Sequence, residues 1–376
     1  MTKMIKRDLL EIILSHTSRK EVVIIYGARQ TGKSTLLDML AQEIDLKILN
    51  CEDPIISDVL LTKNTAQIKS LFDRQVYIAF DEAQSIENIG AILKLLFDSK
   101  SVSQKLIATG SSSFELANKV GEPLTGRNTS FTLLPLSLNE INSQKPWLQI
   151  LQNLHEYLIY GLYPGLAEYS PNDKRLKLIS LSGDYLYKDI LKHEQVKNPE
   201  ILRKLLKAVA LQIGNIISTN ELSNLLGIAK QTVERYLNLL EKSFIIYSIG
   251  SYSSNLRNEL KKSKKYYFLD LGIRNAVLNN FSKIEDRGDK GALWENFCIN
   301  ELMKMNNNKM KFPNYYFWRT YDGAEIDLLI EYDGQLKAYE FKWNSSKKAK
   351  IPLSFSKKYQ VSELEVIQPD KLHLLK

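Results

Sequence analysis

A glycine-rich loop directly after an apolar run constrains the fold of this chain more than any other feature. Residues 22–26 are Val-Val-Ile-Ile-Tyr, which predicts a buried strand, and residues 35–41 predict a helix. The loop between them fits the pattern G-x-x-x-x-G-K-[S/T] and consists of Gly27, Ala28, Arg29, Gln30, Thr31, Gly32, Lys33 and Ser34, followed by Thr35. Glycines let such a loop wrap closely around phosphate oxygens, which its backbone N–H groups and the helix N-terminus then bind.

This loop predicts binding of ATP together with Mg²⁺. We expect Lys33 to neutralise the β- and γ-phosphates and Ser34 to ligate the magnesium ion. The strand before the loop and the helix after it provide the structural context that the motif requires.

An acidic pair and two further polar positions extend the predicted site. The apolar run 76–80 predicts a strand that ends at Asp81-Glu82. We expect Asp81 in the magnesium shell and Glu82 beside the attacking water. The alternative is a charged loop after a strand. The next predicted strand leads to Thr109 and Ser111, and either hydroxyl would suit contact with the γ-phosphate.

Arg127, in the sequence Leu-Thr-Gly-Arg, is a candidate for stabilising charge that develops on the transferred phosphate. If a neighbouring molecule supplied this guanidinium, the active form would be a homo-oligomer. The alternative is an arginine that is solvated or ion-paired.

Alternating strand and helix patterns predict a parallel α/β sheet in the first part of the chain. The strands are predicted at 22–26, 46–50, 76–80 and 106–111, with a helical pattern at 90–98. After Leu136 the strand pattern fades, residues 147–212 have helical spacing, and mixed α/β character returns at 291–376.

Composition narrows the class of protein. The chain has 376 residues, 44% of them hydrophobic and 25% charged, as is typical of globular proteins of two or three domains. Its two cysteines and four histidines form no disulfide framework or metal-binding spacing. No apolar run approaches the roughly 18 residues that span a bilayer, and the polar first residues lack a signal-peptide core. These features predict a cytoplasmic protein without a membrane partner.

The net charge of +8 permits binding to DNA, and the residues from 218 to 242 are typical of a helix-turn-helix. A short capped helix at 218–226 is followed by a turn and by a second helix at 229–242. The outward positions of that second helix are Lys230, Gln231, Thr232 and Arg235. A basic run at 261–265 lies further along. The alternative is a helix-turn-helix that contacts protein.

The segment 325–342 predicts a hairpin, because Asp333-Gly334 is a favoured two-residue turn. Counting outward from the turn places Asp327 opposite Glu340 and Glu325 opposite Lys342. Opposed carboxylates repel each other unless a cation lies between them. The layout D…E-x-K resembles that of PD-(D/E)xK nucleases, with Glu295 as an additional metal ligand. The alternative is a charged sheet without catalysis.

The motifs together resemble a prokaryotic group of AAA+ superfamily ATPases in which an AAA-type domain is joined to a C-terminal DUF4143 region. The matching stretches are residues 26–35, 80–84, 109–112, 124–127, 134–137, 268–272, 291–297 and 325–327. The resemblance implies a C-terminal half with a winged helix and a nuclease-like fold.

We therefore predict an α/β protein with four parts. They are an AAA+-like P-loop NTPase domain with a parallel sheet (1–145), a helical lid (146–212), a winged helix (213–270) and an α/β restriction-endonuclease-like domain (271–376). The predicted function is a magnesium-dependent ATPase coupled to a DNA-associated module that has metal-dependent nuclease activity. The alternative is an ATP-gated switch or scaffold whose C-terminal half binds protein, or grips DNA without cleaving it.

Overall fold

Two sheets organise the computed structural model, which describes residues 4–72, 75–99, 102–111, 124–185, 196, 198–253, 263–344, 346 and 349–376. Its contacts divide the chain into two compact units. The first contains residues 1–136, 163–165 and 242–244, and the second contains residues 137–162, 166–241 and 245–376.

The first unit is built on a five-stranded sheet whose neighbouring strands are all parallel, in the order β2-β3-β4-β1-β5. Its strands are β1 Val22–Tyr26, β2 Leu46–Asn50, β3 Tyr77–Asp81, β4 Lys105–Gly110 and β5 Asn128–Thr132. Its helices are α1 Leu9–Thr17, α2 Lys33–Glu43, α3 Pro54–Leu61, α4 Thr65–Lys69 and α5 Ile89–Asp98, with a 3-10 turn at Ala83–Ser85. The predicted parallel α/β sheet is thus confirmed.

Burial explains why four of these strands were predictable and the fifth was not. Strand β1 has the burial of a central strand, and Val22, Ile24 and Ile25 are completely buried. Strand β5 has the sequence Asn-Thr-Ser-Phe-Thr, in which Phe131 alone is buried, so it lacks an apolar run. Because parallel strands share a direction, β1, β3 and β4 bring the phosphate loop, Asp81 and Thr109 to one edge of the sheet.

The second unit combines many helices with a second sheet. Its helices are α6 Leu138–Asn142, α7 Trp147–Gln152, α8 Leu154–Tyr160, α9 Pro171–Ser180, α10 Pro199–Leu211, α11 Thr219–Leu226, α12 Lys230–Lys242, α13 Leu271–Val277, α14 Lys290–Asn308 and α15 Leu353–Tyr359. Its strands are β6 Ile216–Ile217, β7 Ile246–Ser251, β8 Lys264–Phe268, β9 Asn314–Arg319, β10 Glu325–Tyr332, β11 Gln335–Phe341 and β12 Leu364–Ile367. Tighter or wider turns occur at Leu181–Tyr185, Ile284–Asp286 and Pro369–Leu375.

All seven strands of the second unit belong to one sheet, in the order β12-β11-β10-β9-β7-β8-β6. Strands β6, β8 and β7 pair antiparallel, and β7 then pairs parallel with β9. Strands β9, β10 and β11 are antiparallel neighbours, and β12 runs parallel to β11. The segments 213–270 and 271–376, which the sequence pattern treats as separate, therefore share a continuous sheet.

The hairpin at 325–341 has the predicted turn. Asp333 and Gly334 have φ values of 50° and 76°, which a two-residue turn of this kind requires. Tyr332 pairs with Gln335 and Leu328 with Tyr339, so the predicted register is confirmed along the paired residues. A bulge between Ile326 and Leu329 interrupts the pairing of β10 with β9.

Among the helices in the described part of the chain, none is long and apolar enough to cross a membrane.

Candidate functional site

The phosphate loop depends on glycine at two positions. A Cβ on Gly27 would lie 2.4 Å from the carbonyl oxygen of Leu133, a distance that real Cβ atoms do not adopt. Gly32 has φ +91° and forms the N-cap of α2, where a left-handed conformation favours glycine. The loop therefore delivers Lys33 as the first residue of α2 and directs the helix N-terminus toward the loop.

Two cations lie against the backbone of this loop. Lys33 is 4% exposed, and its Nζ donates to the carbonyl oxygens of Gly27 at 3.1 Å and Ala28 at 3.0 Å. Arg7, also buried, donates to the carbonyl oxygen of Thr31 at 2.7 Å and to that of Leu134 at 2.6 Å. Arg7 thereby fixes the loop to the segment after β5 and adds positive charge beside it.

Three side chains come together at the carboxyl ends of the strands. The Oγ of Ser34 donates to Oδ2 of Asp81 at 2.6 Å, so the two predicted magnesium ligands lie side by side. The hydroxyl of Thr109 donates to the other carboxylate oxygen of Asp81 and accepts a hydrogen bond from the Glu82 N–H at 3.2 Å. Thr109 is completely buried, and its hydrogen bonds orient the acidic pair.

Hydrogen bonds from a glutamine connect Glu82 to Ser111, the residue that follows β4. Its backbone is left-handed, with φ 51°, at the point where β3 meets the 3-10 turn Ala83–Ser85. The Nε2 of Gln84 donates to Oε2 of Glu82 and to Oγ of Ser111, the latter at 3.1 Å. Gln84 and Ser111 are 6% and 4% exposed.

The acidic pair also affects the pKa of the buried Cys51 thiol. Burial, together with the Asp81 and Glu82 charges, raises the pKa of Cys51 to about 12. This cysteine is therefore protonated at neutral pH and does not act as a nucleophile.

Among the other residues predicted for the ATP site, some are exposed at the loop and one is distant from it. Gln30 and Thr35 are exposed, and Arg29 is partly exposed. Arg127 lies at the other edge of the sheet, because its carbonyl oxygen accepts from the N–H of Val22 at the start of β1. Its guanidinium pairs with Asp98 at 3.3 Å. Arg127 is thus not brought together with the phosphate loop of its own chain.

A second group of charged residues lies on the seven-stranded sheet. Lys265 of β8 is 2% exposed, and its Nζ lies 2.6 Å from Glu325 and 3.4 Å from Glu295. Glu295, on α14, also accepts a hydrogen bond from the hydroxyl of Tyr267 at 2.6 Å. Burial alone would lower the pKa of Lys265, but the Glu295 and Glu325 charges outweigh it and raise that pKa. Lys265 is therefore a charged, buried partner of two carboxylates.

The other predicted members of this acidic cluster lie at the end of the hairpin. Oδ2 of Asp327 accepts from the N–H of Phe341 at 2.8 Å. Lys342 donates to Oε1 of Glu340, while the buried Oε2 of Glu340 has no hydrogen-bond partner. Burial, followed by the charges of Glu295 and Glu340, raises the pKa of Asp327 well above its usual range. Burial also raises the pKa of Glu295.

Within the ranges that the structure describes, no three histidine, cysteine, aspartate or glutamate side chains converge as the ligands of a metal do. Two lysines already pair with three of the clustered carboxylates: Lys265 with Glu295 and Glu325, and Lys342 with Glu340. The unpartnered oxygen of Glu340 and the carboxylates of Glu295 and Glu340 near Asp327 are the features that would favour a cation.

The predicted DNA-facing residues occupy the first turns of α12. Lys230, Gln231 and Arg235 are exposed, and Thr232 is partly exposed. Lys230 forms a surface ion pair with Glu234 at 3.8 Å. The opposite face of the helix is buried, as the side chains of Val233, Tyr236, Leu237 and Leu240 show. Lys261 and Lys262 of the basic run lie outside the described residues.

Family profiles match three stretches of this chain. An AAA domain matches residues 19–142, and a domain of unknown function, DUF4143, matches residues 290–373. A second domain of unknown function, DUF8612, matches residues 151–284. The chain therefore has an AAA-like ATPase domain over the first sheet, and the sequence prediction of a C-terminal DUF4143 region is confirmed.

Similar proteins occur in distant prokaryotes. An uncharacterized protein of Mycobacterium tuberculosis is 25% identical over 347 residues, which are 91% of this chain and 74% of the relative. One from Haemophilus influenzae is 27% identical over 329 residues, 80% of this chain and 78% of the relative. One from Methanocaldococcus jannaschii is 25% identical over 351 residues, 87% of this chain and 75% of the relative.

Among solved structures, a Walker-type ATPase of Pyrococcus abyssi shares the fold. Its TM-score is 0.50 at 17% sequence identity, and the match covers 73% of this chain and 96% of that structure. Together with the match of residues 19–142 to an AAA domain, an ATPase fold implies nucleotide binding, usually with Mg²⁺.

Sequence reasoning missed Arg7, Gln84 and Tyr267, and it identified Lys265 only as part of the basic run 261–265 and not as the partner of Glu295 and Glu325. Gln84 lies two residues after Glu82, and this closeness in sequence is the feature that could have identified it as a site residue. The other three lie far along the chain from the residues they contact, so no local pattern identified those contacts.

Proposed function

We propose that this chain hydrolyses ATP at the phosphate loop. The observation that carries the proposal is the 2.6 Å hydrogen bond between Ser34 and Asp81, because it places two oxygen ligands side by side next to Lys33 and Glu82. Hard oxygen donors of this kind suit Mg²⁺. Magnesium, when bound, neutralises charge on the phosphates.

Each residue has a separate task in this proposal. Lys33 exchanges the carbonyl oxygens of Gly27 and Ala28 for the β- and γ-phosphates, and the loop N–H groups hold the remaining oxygens. Ser34 and Asp81 would hold the magnesium ion. Glu82 orients a water molecule and accepts its proton as the water attacks the γ-phosphorus, while the bond from that phosphorus to the β–γ bridging oxygen breaks and ADP leaves.

The test is ATP turnover by the full chain with Mg²⁺, compared with Lys33→Ala and with a control, Lys47→Ala, on exposed surface of the same unit. We expect turnover in the unchanged protein and in the control, and a loss of at least about 100-fold in Lys33→Ala. Equal turnover in Lys33→Ala would refute the assignment.

We further propose that the second unit associates with DNA. The order α10-β6-α11-α12-β7-β8, with an antiparallel β6-β8-β7 arrangement, supports the predicted winged helix. Lys230, Gln231 and Arg235 are exposed on α12, as residues that read a groove must be. ATP binding or hydrolysis in the first unit would then regulate this association.

Nuclease activity is the second candidate function. The unpartnered Oε2 of Glu340, beside Asp327 and Lys342, favours it, because a divalent cation would satisfy that oxygen. Since the described carboxylates do not converge as metal ligands, activity would require the lysine partners to move.

A cleavage assay on supercoiled, linear and single-stranded DNA, with Mg²⁺ or Mn²⁺ and with or without ATP, tests this candidate. The nuclease proposal predicts cleavage that is lost in Asp327→Ala combined with Lys342→Ala. DNA binding without cleavage would indicate that the C-terminal half grips DNA and does not cleave it. Failure to bind DNA would favour a scaffold that binds protein.

We also propose that Arg127 acts on the phosphate of a neighbouring molecule. Its position at the far edge of the sheet supports supply in trans. Mixing Lys33→Ala with Arg127→Ala protein should then restore turnover where the Arg127 of one molecule meets the intact loop of another. Absence of any restoration would contradict the proposal.

A further inference from the structure

In the hydrogen bonds that connect Glu82 to Ser111, Gln84 is the donor and the other two side chains are acceptors. Glu82 contributes a carboxylate, which accepts hydrogen bonds, and the Nε2 of Gln84 has two hydrogens to donate. One goes to Oε2 of Glu82 and the other to Oγ of Ser111 at 3.1 Å. A hydroxyl that accepts such a bond still has its own proton to donate, and a phosphate oxygen is a strong acceptor for it.

Burial restricts the movement of the side chains in this series of hydrogen bonds. Gln84 is 6% exposed and belongs to the short 3-10 turn Ala83–Ser85, so its side chain has little freedom to reorient. Ser111 is 4% exposed and directly follows β4. In a water-poor setting, loss of one donor leaves an acceptor unsatisfied, so the three groups hold each other in place.

The same geometry separates Thr109 from Ser111, which the sequence left equivalent. Thr109 is completely buried, and its hydroxyl joins Asp81 to the backbone of Glu82. Ser111 instead contacts the amide that holds the carboxylate of Glu82. Of the two hydroxyls, Ser111 is therefore the one through which a bound phosphate would influence Glu82.

We propose that Gln84 is a positioning residue that links the γ-phosphate contact of Ser111 to the orientation of the Glu82 carboxylate. The proposal rests on the proposed ATPase function. When a γ-phosphate oxygen accepts the proton of Ser111, the hydroxyl is fixed, Gln84 is fixed with it, and Glu82 is held where it meets the attacking water. A nucleoside diphosphate lacks that oxygen and leaves Ser111 without this restraint.

The experiment is a double-mutant cycle on the full chain with Gln84→Leu, Ser111→Ala and the two combined. A fluorescent ATP analogue measures nucleotide affinity, and steady-state phosphate release measures kcat. Gln42→Leu is the control, because Gln42 is exposed on α2. We expect each single change to lower kcat about tenfold and to alter nucleotide affinity less than about twofold.

The combined variant distinguishes a relay from two independent contacts. We expect its kcat to be no lower than about twofold below that of the slower single variant, since either change already breaks the same connection. Multiplication of the two effects to about 100-fold, or an unchanged kcat in Gln84→Leu, would overturn the proposal.

A second substitution covers the case in which Gln84→Leu does not fold. Gln84→Glu keeps the size of the side chain but removes the donors and places a carboxylate beside Glu82, so we expect it to lower kcat at least tenfold. A Gln84→Glu protein that binds nucleotide and turns over at the unchanged rate would refute the link. If the unchanged protein binds ATP but releases no phosphate, the proposed function itself fails, which is a different result from a normal rate in the Gln84 variants.

Discussion

The two charged clusters of this molecule differ in the contacts that hold their charged side chains. In the first unit, Lys33 donates to two loop carbonyl oxygens, and Asp81 accepts hydrogen bonds from two hydroxyls. In the second unit, Lys265 and Lys342 are bonded directly to Glu325 and Glu340. Hydrogen bonds to uncharged groups are thus prominent in the first cluster, and lysine–carboxylate pairs are prominent in the second.

This difference indicates what each cluster is prepared to do. Hydrogen bonds between charged side chains and uncharged groups suit a site for a polyanion with its cation, because binding replaces them with stronger, charge-assisted contacts. The pairs of Lys265 hold α14, β8 and β10 together, and lysine–carboxylate pairs must be broken before these carboxylates can bind a metal. The exception is the unpartnered oxygen of Glu340.

The loss of Lys265 should have the largest effect on the second cluster. Replacing it by methionine leaves Glu295 buried without its cation, and we expect the free energy of unfolding to fall by about 3–5 kcal/mol. Lys264→Met, at the exposed neighbouring position, should change stability by less than about 0.5 kcal/mol. Chemical denaturation measures both. Adding Glu295→Gln to Lys265→Met should restore part of the loss, and a fully stable Lys265→Met protein would contradict the structural role of the pair.

A smaller effect is expected from Gly27→Ala in the phosphate loop. The new Cβ would meet the carbonyl oxygen of Leu133 at 2.4 Å, so the loop must shift, and we expect ATP affinity to fall about 100-fold. Titration with a fluorescent ATP analogue gives the affinity. Gly291→Ala, where a Cβ meets nothing within 4 Å, is the matched control. Unchanged affinity in Gly27→Ala would mean that the loop does not hold phosphate as described.

The smallest effect concerns DNA binding by the second unit. If Lys230 and Arg235 each contact a phosphate, replacing both by alanine should lower the slope of log affinity against log salt by about 2. Fluorescence anisotropy with labelled duplex DNA at several salt concentrations measures this slope. Lys204→Ala is the control, because Lys204 forms a similar surface ion pair, with Glu200 on α10. An equal slope in the double variant would remove α12 from the DNA-contacting surface.

Local patterns predicted the elements whose signal lies within a few residues of sequence. The strand, loop and helix around Gly27–Ser34 and the turn at Asp333-Gly334 appear as expected, because apolar runs and turn chemistry act locally. Strand β5 was missed because its residues are mostly polar and its pairing with β1 is non-local.

Long-range partners were not predictable for the same reason. Arg7 contacts carbonyl oxygens 24 and 127 residues away, and Lys265 meets Glu295 30 residues away. Nor did any sequence pattern indicate that β7 pairs with β9 and so joins two segments into one sheet. Such contacts depend on how the elements pack, which one sequence does not specify locally.

The most direct test of the central claim is single-turnover hydrolysis of γ-labelled ATP by the unchanged protein and by Glu82→Gln, with nucleotide affinity measured in parallel. We expect Glu82→Gln to bind ATP·Mg²⁺ with unchanged affinity but to release phosphate at least about 100-fold more slowly, because it lacks the base that accepts the proton of water. Phosphate release by Glu82→Gln at the unchanged rate would contradict the claim.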